Sequence, residues 1–333
     1  MDIERRAFLA LSMLMMSGCA SAAPKKPVQL AGWDAFKARY LLGEGRIADS
    51  GNGGISHSEG QGYAMLLAEI TGDRDSFDRL HGWTETTLIR PHEALFSWRF
   101  EPGKGVTDPN NATDGDILIA WALMRAAARW RDARYGERAK TIRAAIHAHL
   151  VRKQGPRTVL LPGLAGFDHA GRTTINLSYY IWPALDAFRK ADGADRWAPV
   201  ILDGEKLLVE ARAGPLQLPT DWTDIGADGH AAPAVDKAPR FGFDAIRIPL
   251  YLALGNRLAG AETIARFWRS YAEPGKPIPA WVDVKTGEVA PYPLSDGGYA
   301  LVRRLLGPAA PMRPEAGPAD YYSTVLKLLA QIS

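Results

Sequence analysis

The sequence predicts an all-α protein in which helical hairpins are arranged around a common axis. From Ala31 onward, apolar residues recur at helical spacing, and the alternation typical of β-strands is scarce. The pattern gives some eleven helices, which is too many for a four-helix bundle. Neither a break in composition nor a short fixed repeat divides the chain. We therefore expect a single domain over residues 31–333.

The spacing of apolar residues and the positions of the loops set the expected helices. In "DILIAWALMRAAARW", for example, Ile117, Trp121, Met124 and Ala128 fall on one helix face. The expected ranges are 31–42, 59–71, 75–90, 116–131, 135–150, 177–190, 194–210, 243–257, 260–273, 295–306 and 319–332. Between them, "GEGRIADSGNGG" and "PGKGVTDPNNATDG" are expected to be long polar loops, which often carry function.

Residues 1–23 have the pattern of an export signal. Arg5 and Arg6 precede the apolar run "FLALSMLMM", which is too short for a permanent transmembrane helix. Small residues in "CASAA" fit signal-peptide cleavage, "MSGC" fits lipidation of Cys19, and "RRAFLA" fits a twin-arginine signal. Residues 24–30 then form a linker. All three alternatives export the chain, so we expect a periplasmic or secreted protein, with a lipid anchor at Cys19 as one alternative.

Composition excludes several classes of function. The 40 basic and 37 acidic residues give a net charge of +3, without the dense basic block that nucleic-acid binding requires. A single cysteine excludes intramolecular disulfides and leaves no thiol chemistry to the mature chain. The 7 histidines include no His-x-x-x-His pair, so we expect no metal and no cofactor. The 10 Trp and 11 Tyr suit stacking against flat sugar faces.

The segment "ISHSEGQGYAM" places Glu59 at the start of an expected helix. Helix capping is the simplest interpretation, since S-x-x-E from Ser56 and S-x-x-Q from Ser58 both fit a capping box. Gly60 and Gly62 argue against a purely structural start, because each costs about 1 kcal/mol in a helix interior. We therefore expect these glycines to let a bulky ligand, a sugar, approach the backbone beside Glu59.

Two further segments place acids at helix starts. In "ATDGDIL", Asp114 is expected to cap the helix and Asp116 to favour its positive end. The overlapping "DPNNATDGD" is not a calcium loop, because the fifth and twelfth positions carry Ala and Ile. In "FDAIRIPL", Asp244 precedes Arg247 by one turn, as in an ordinary ion pair, and Pro249 is tolerable within a first helical turn.

Three acids at helix starts would converge if the helices form a ring, and two facing carboxyls are what glycoside hydrolysis needs. A helix N-terminus stabilises the carboxylate, whereas a general acid must keep its proton. We therefore expect Glu59 to be partly enclosed, with Asp114 as the neighbouring charge that keeps it protonated.

These motifs resemble those of glycoside hydrolase family 8. "ATDGDILIAWALMRAAARW" is similar to the family signature, "SEGQGYAM" to its general-acid segment and "FDAIRIPL" to its general-base segment. "GWDAFKARYL", "NLSYY" and "DWT" at 221–223 resemble the periplasmic endoglucanases of bacterial cellulose-synthesis operons. The resemblance covers nearly all of the mature chain. It implies an (α/α)6 barrel with a cleft at one end, and endo-hydrolysis of β-1,4-glucan with inversion.

The resemblance also assigns roles by matching position. Glu59 would be the proton donor, Asp244 the base that activates water, and Asp114 the residue that holds the distorted sugar. The substrate-binding residues would be Trp98, Asp116, Tyr179, Trp182, Arg247 and Tyr299. The expected partners are a β-glucan substrate and a cellulose-synthesis complex, with the chain itself a monomer.

Other functions stay open at this point. The same fold could act on chitosan, xylan or mixed-linkage glucan, and an envelope protein could bind glucan after losing activity. Nucleotide binding through "GEGRIA" fits G-x-G-x-x-A, but the motif follows an expected helix rather than a strand.

Overall fold

Eleven α-helices lie where the sequence predicts them in the computed structural model, which describes residues 26–273, 276–311 and 320–332. Their bounds are α1 Trp33–Tyr40, α2 Ser58–Thr71, α3 Arg74–Thr87, α4 Thr113–Trp130, α5 Ala133–Leu150, α6 Trp182–Asp192, α7 Ala194–Glu210, α8 Ile248–Leu254, α9 Glu262–Arg269, α10 Asp296–Leu306 and α11 Tyr321–Leu329. The expected helices at 177–190 and 243–257 each begin with a 3₁₀ turn, over Leu177–Tyr179 and Ala245–Arg247.

Six helices close an inner ring. Helix α2 packs against α4, and the sequence of contacts continues through α6, α8, α10 and α11 back to α2. Helices α1, α3, α5, α7 and α9 pack outside this ring within the described residues. The inner helices bury most of their side chains, and one continuous apolar core joins the two layers. This arrangement confirms the predicted (α/α)6 barrel.

The two ends of the barrel differ in how the chain connects its helices. At one end, inner helices turn into outer ones within a few residues, as between α2 and α3, α4 and α5, or α6 and α7. At the other end, the connections from outer to inner helices are long. They carry the first residues of the inner helices, so this end holds the side chains that could form a site.

In the part of the chain that the structure describes, the long connections contain twelve short antiparallel strands that the helical pattern did not reveal. They are β1 Ser56–His57, β2 Ile89–Arg90, β3 Leu95–Glu101, β4 Gly105–Asn111, β5 Val151–Gln154, β6 Arg157–Leu160, β7 Asp168–His169, β8 Arg172–Ile175, β9 Thr223–Gly226, β10 Ala231–Pro233, β11 Arg240–Phe241 and β12 Val282–Asp283. One sheet joins β1, β2 and β4 to β3, and another has the order β10-β9-β8-β7. The expected loop "PGKGVTDPNNATDG" therefore contains strand β4.

Two glycines set the close contact between α2 and α4. A Cβ atom at Gly62 would lie 2.6 Å from the Cβ of Leu118, and one at Gly115 would lie 2.8 Å from the backbone nitrogen of Glu59. A Cβ at Gly60 would lie 2.8 Å from the hydroxyl of Tyr321. The expectation that Gly60 and Gly62 make room for a sugar is wrong, because protein atoms occupy the space beside both.

The start of the described chain lies against the barrel. Within the expected linker, the backbone nitrogen of Val28 donates to the carbonyl of Ile70, and Leu30 is buried in the core. The expected export signal, with Cys19, lies outside the described residues. Among the helices that are described, none has the length and apolar character to cross a membrane.

Candidate active site

A cleft of about 560 Å³ opens at the barrel end that carries the long connections. The first residues of α2, α4 and α11 line it, together with the turn that precedes α8. Six of the predicted site residues meet there: Glu59, Trp98, Asp114, Tyr179, Asp244 and Arg247. The helix starts therefore converge as the ring argument predicts.

Arg247 joins the three acids at the bottom of the cleft. Its side chain is buried, and Nη1 forms an ion pair with Glu59 Oε1 and lies 3.2 Å from Asp114 Oδ2. Nη2 lies 2.5 Å from Asp244 Oδ1. One guanidinium thus serves three carboxyl groups, so this is no ordinary exposed pair of the i, i+3 kind. Because three carboxyl groups share one positive charge, repulsion among them favours protonation within the group.

Glu59 is held by the first turns of α2 and by a tyrosine pair. The Tyr63 hydroxyl donates to Glu59 Oε1 at 3.1 Å, and it lies 2.9 Å from the hydroxyl of Tyr251. The Glu59 side chain is 17% exposed, which confirms the predicted partial enclosure. The expectation that Asp114 keeps Glu59 protonated stays a prediction.

The capping boxes expected at the start of α2 are wrong. The N-cap is His57, whose Nδ1 accepts from the backbone nitrogen of Gly60 at 3.0 Å. The Ser56 hydroxyl donates to the carbonyl of Ile47. The Gln61 side chain accepts from the backbone nitrogen of Ile47 and donates to Thr84. Both side chains thus fasten the loop before α2 to the barrel instead of capping the helix.

Asp114 is buried in the second position of α4 rather than capping it, because Ala112 is the N-cap residue. Its Oδ1 accepts from the nitrogen of Gly115 at 2.8 Å, and its Oδ2 accepts from Arg247. Burial raises the pKa of Asp114 to about 7, although the Gly115 hydrogen bond and the charge of His57 act against the shift. Asp114 therefore exchanges its proton far above the range of an exposed aspartate.

Asp244 lies at the turn into α8, and its side chain keeps 26% of its surface exposed to the cleft. Burial, followed by the charges of Asp221 and Asp114, raises the pKa of Asp244 well above its usual value. Asp221 Oδ1 accepts from three backbone nitrogens, those of Gly242, Asp244 and Ala245. Asp221 thus fixes the Asp244 turn, and burial raises its own pKa to about 6.

Two predicted aromatic residues face the cleft. Trp98 on β3 is half-buried and lines the cleft wall. Tyr179, in the turn before α6, lies with its ring 5.8 Å from the guanidinium carbon of Arg247. Both rings keep exposed surface, which stacking against a sugar requires.

Three residues predicted to bind substrate lie away from the cleft. Asp116 is fully buried, and its oxygens accept from the backbone nitrogen of Phe96 and the amide of Asn111, so it fastens β3 and β4 to α4. Trp182 is buried in the core, 5.2 Å from the guanidinium of Arg257. Tyr299 is buried as well. Its hydroxyl accepts from the backbone nitrogen of Ile278, so its role is also structural.

The structure adds site residues that sequence reasoning missed. His57, Asp49, Phe243 and Tyr322 line the cleft, and Tyr63 contacts Glu59. Only Tyr63 carried a usable signal, since a residue four positions after Glu59 lies on the same helix face. Tyr322 reaches the cleft from the first turn of α11, and Asp49, His57 and Phe243 reach it from the connections, whose course the sequence pattern does not reveal.

Comparisons with known proteins agree with this geometry. The model of the glycosyl hydrolases family 8 matches residues 1–333. An endoglucanase of Cellulomonas uda is 40% identical over 299 residues, which are 89% of this chain and 82% of that protein. A probable endoglucanase of Novacetimonas hansenii is 40% identical over 329 residues, 97% of this chain and 95% of that protein.

Solved structures give the same result for the fold. The crystal structure of endoglucanase Cel10 from Klebsiella pneumoniae aligns with a TM-score of 0.84 and 41% identity, over 90% of this chain and 97% of that one. The endo-β-1,4-glucanase CMCax from Acetobacter xylinum aligns with a TM-score of 0.83 and 39% identity, over 90% and 95% of the two chains.

Proposed function

The chain belongs to glycosyl hydrolase family 8, and from this membership and its cleft we infer that it is an endo-1,4-β-glucanase that cleaves β-1,4-glucan with inversion. The observation that carries the inference is the set of three carboxyl groups around Arg247, open to a cleft. Glu59 forms its ion pair with Nη1 of that guanidinium, and Asp244 with Nη2. They face one cleft from separate elements, as an acid and a base on opposite faces of a sugar must.

In the proposed reaction, Glu59 gives its proton to the glycosidic oxygen as the bond to the anomeric carbon breaks. Asp244 takes a proton from a water molecule, whose oxygen attacks the anomeric carbon from the opposite face. The products are a new reducing end of inverted configuration and a new non-reducing end. Because the raised pKa of Asp244 makes it a stronger base than an exposed aspartate, the carboxylate is well suited to this step.

Asp114 and Arg247 hold the reacting sugar in this account. Asp114 lines the same cleft as the proton donor and the base, and Arg247 donates to one of its oxygens. We assign Asp114 to the hydroxyls of the distorted sugar rather than to covalent attack, because inversion forms no glycosyl-enzyme intermediate. Trp98 and Tyr179 supply the flat faces against which neighbouring sugars stack.

The cellular setting is also a proposal. The pattern of residues 1–23 supports a periplasmic or secreted enzyme. The resemblance to enzymes of cellulose-synthesis operons supports a monomer that trims newly made glucan beside a synthesis complex. Fractionation of cells that produce the wild-type or the C19S chain distinguishes a lipid anchor at Cys19 from a cleaved leader, since only the anchored form loses membrane association on substitution.

The activity itself is tested by the reducing ends released from soluble cellulose derivatives, chitosan, xylan and mixed-linkage glucan. We expect carboxymethylcellulose to be cleaved fastest, with a rapid fall in viscosity because cuts are internal. Faster release from chitosan or xylan would contradict the substrate assignment. Binding of glucan without any release would indicate an envelope binding protein instead of an enzyme.

A further inference from the structure

His57 lies beside the proposed proton donor, and its contacts extend beyond the capping of α2. Its ring lies at the junction of β1 and α2 and lines the cleft. Nδ1 accepts from Gly60, while Nε2 lies 3.4 Å from Asp49 Oδ2. The ring meets Tyr321 edge-on, with centroids 5.7 Å apart. Three separate elements thus fix the orientation of one imidazole.

The contact with Gly60 identifies the protonation state of this arrangement. A backbone N–H can only donate, so Nδ1 must offer its lone pair, and the proton of the neutral ring sits on Nε2. That proton faces Asp49, whose pKa stays below its usual value, since hydrogen bonds from His57 and Asn52 outweigh the opposing effect of burial. Asp49 is therefore the carboxylate that selects this tautomer.

Protonation of His57 would replace one contact by another. A protonated Nδ1 is a donor and can no longer accept from Gly60, so the helix cap is lost. The same atom lies 3.9 Å from Glu59 Oε2 on α2. A small rotation of the ring would then convert the cap into an ion pair with the Glu59 carboxylate. That pair stabilises the form of Glu59 that has no proton to give.

The charged groups around His57 determine how strongly it responds to pH. Among the acidic groups, Asp49 and Glu59 flank the ring. The charge of His57 also acts on Asp114, and Asp320, which precedes α11, lines the same cleft. On the basic side, Arg99 is the β-sheet partner of His57, Arg46 binds neighbouring Ser56, and Arg247 lies beyond Glu59. The titratable Tyr321 ring presents its edge. The ring nitrogens thus lie 3.4 Å from Asp49 Oδ2 and 3.9 Å from Glu59 Oε2, so both carboxyl groups can accept from a protonated ring.

We propose that His57 is a positioning residue that controls Glu59: the neutral ring caps α2 and makes no ion pair with Glu59, which then acts as proton donor, whereas the protonated ring releases the cap, pairs with Glu59 and switches the donor off. This inference rests on the proposed function. It adds that the acid side of the pH–activity profile depends on two groups, the base Asp244 and the switch His57, instead of one.

The test compares the pH dependence of kcat on carboxymethylcellulose for the wild-type enzyme and H57N. Asparagine caps helices as well as any residue and does not titrate, so it keeps the cap and removes the switch. On the acid side, the wild-type rate should fall by up to about a hundredfold per pH unit, and that of H57N by about tenfold. Nitrogen-15 spectra of the wild-type imidazole should show the Nε2–H tautomer at neutral pH.

Two further variants keep the test decisive. In D49N the ring loses its anionic neighbour, so the steep acid fall should persist but begin at lower pH. H81N is the matched control, because His81 also lies beside a carboxylate, Glu85 at 3.3 Å, but outside the cleft. Its profile should equal that of the wild-type enzyme.

A wild-type slope and midpoint in H57N would overturn the proposal and leave His57 as a cap alone. A folded H57N without activity at any pH would also contradict it, because the neutral cap would then be insufficient. Absence of glucan hydrolysis by the wild-type enzyme would instead reject the proposed function, an outcome that the parallel wild-type assay separates from the other two.

Discussion

Helix α2 carries a glutamate near each end. The ratio of arginines to carboxyl groups around the two glutamates is reversed between the ends. At the short-turn end, Glu69 is buried, and its two oxygens accept from Arg125 and Arg129 at 2.5 and 2.6 Å. At the cleft end, Glu59 shares the single guanidinium of Arg247 with two other carboxyl groups. Two arginines for one acid make a satisfied structural cluster. One arginine for three acids leaves charge that protons or a substrate must compensate, and this is the arrangement that catalysis can use.

The first prediction concerns Glu59, at the cleft end of α2. E59Q removes the proton donor and keeps the size of the side chain, so kcat on carboxymethylcellulose should fall about a thousandfold. The melting temperature should change little, because Arg247 retains two carboxyl partners. Steady-state kinetics and thermal unfolding measure the two effects. A rate near that of the wild-type enzyme would show that Glu59 is not the donor.

The second prediction concerns the matching substitution of Glu69, at the short-turn end of α2. E69Q removes the buried carboxylate that accepts from Arg125 and Arg129, and the loss of these charged contacts should cost about 3 kcal/mol of unfolding free energy. Denaturant unfolding measures this loss, and kcat per folded molecule should equal that of the wild-type enzyme. If E69Q lowered kcat as strongly as E59Q, the functional difference between the two ends of α2 would be refuted.

The third prediction concerns the glycine between these ends. G62A places a Cβ 2.6 Å from that of Leu118 and should destabilise the fold by about 2 kcal/mol through overpacking. G82A is the matched control, since Gly82 lies within α3 with open space around it and should gain about 0.5–1 kcal/mol. A raised KM in G62A at unchanged stability would instead restore the idea that this glycine makes room for a sugar.

The fourth and smallest effect concerns the acid limb of the pH profile. Asp244 has a raised pKa, so as a base it becomes active only as pH rises through that value. D221N removes one of the charges that raise it, while its amide oxygen still accepts from the Asp244 turn. The midpoint of the acid limb should therefore move about 0.5–1 pH unit lower, without a change of slope.

D283N provides the control for this shift. Asp283 also accepts from backbone nitrogens, those of Lys285 and Thr286, but lies outside the cleft. Its substitution should leave the profile unchanged. An acid limb that stayed in place in D221N would show that Asp221 positions the turn without affecting the protonation of Asp244.

Helix positions could be predicted from sequence because burial in two layers imposes a regular apolar spacing. The twelve strands could not, since most span two to four residues and lie in polar connections. The role of Gly62 depends on which helix packs against it, which is a tertiary property. The packing of α4 against α2 explains Gly62 and Gly115, which local helix propensity disfavours.

The site was predictable in part for a similar reason. The resemblance places both Asp114, which would hold the distorted sugar, and Asp116, as a substrate-binding residue, at the sugar, although residues two apart on a helix differ by about 200° in direction. Only one of them could face the cleft, and the structure shows that Asp114 does. For Trp182 and Tyr299 no such signal existed, because a buried aromatic residue and a stacking platform look alike in sequence.

The configuration of the first product tests the central claim most directly. Proton NMR during hydrolysis of a cello-oligosaccharide by the wild-type enzyme distinguishes the two anomers before they interconvert. With Glu59 as acid and Asp244 activating water on the opposite face, the α-anomer should appear first and decay to the equilibrium mixture. Initial release of the β-anomer would mean retention through a covalent intermediate, and it would contradict the roles assigned to all three carboxyl groups.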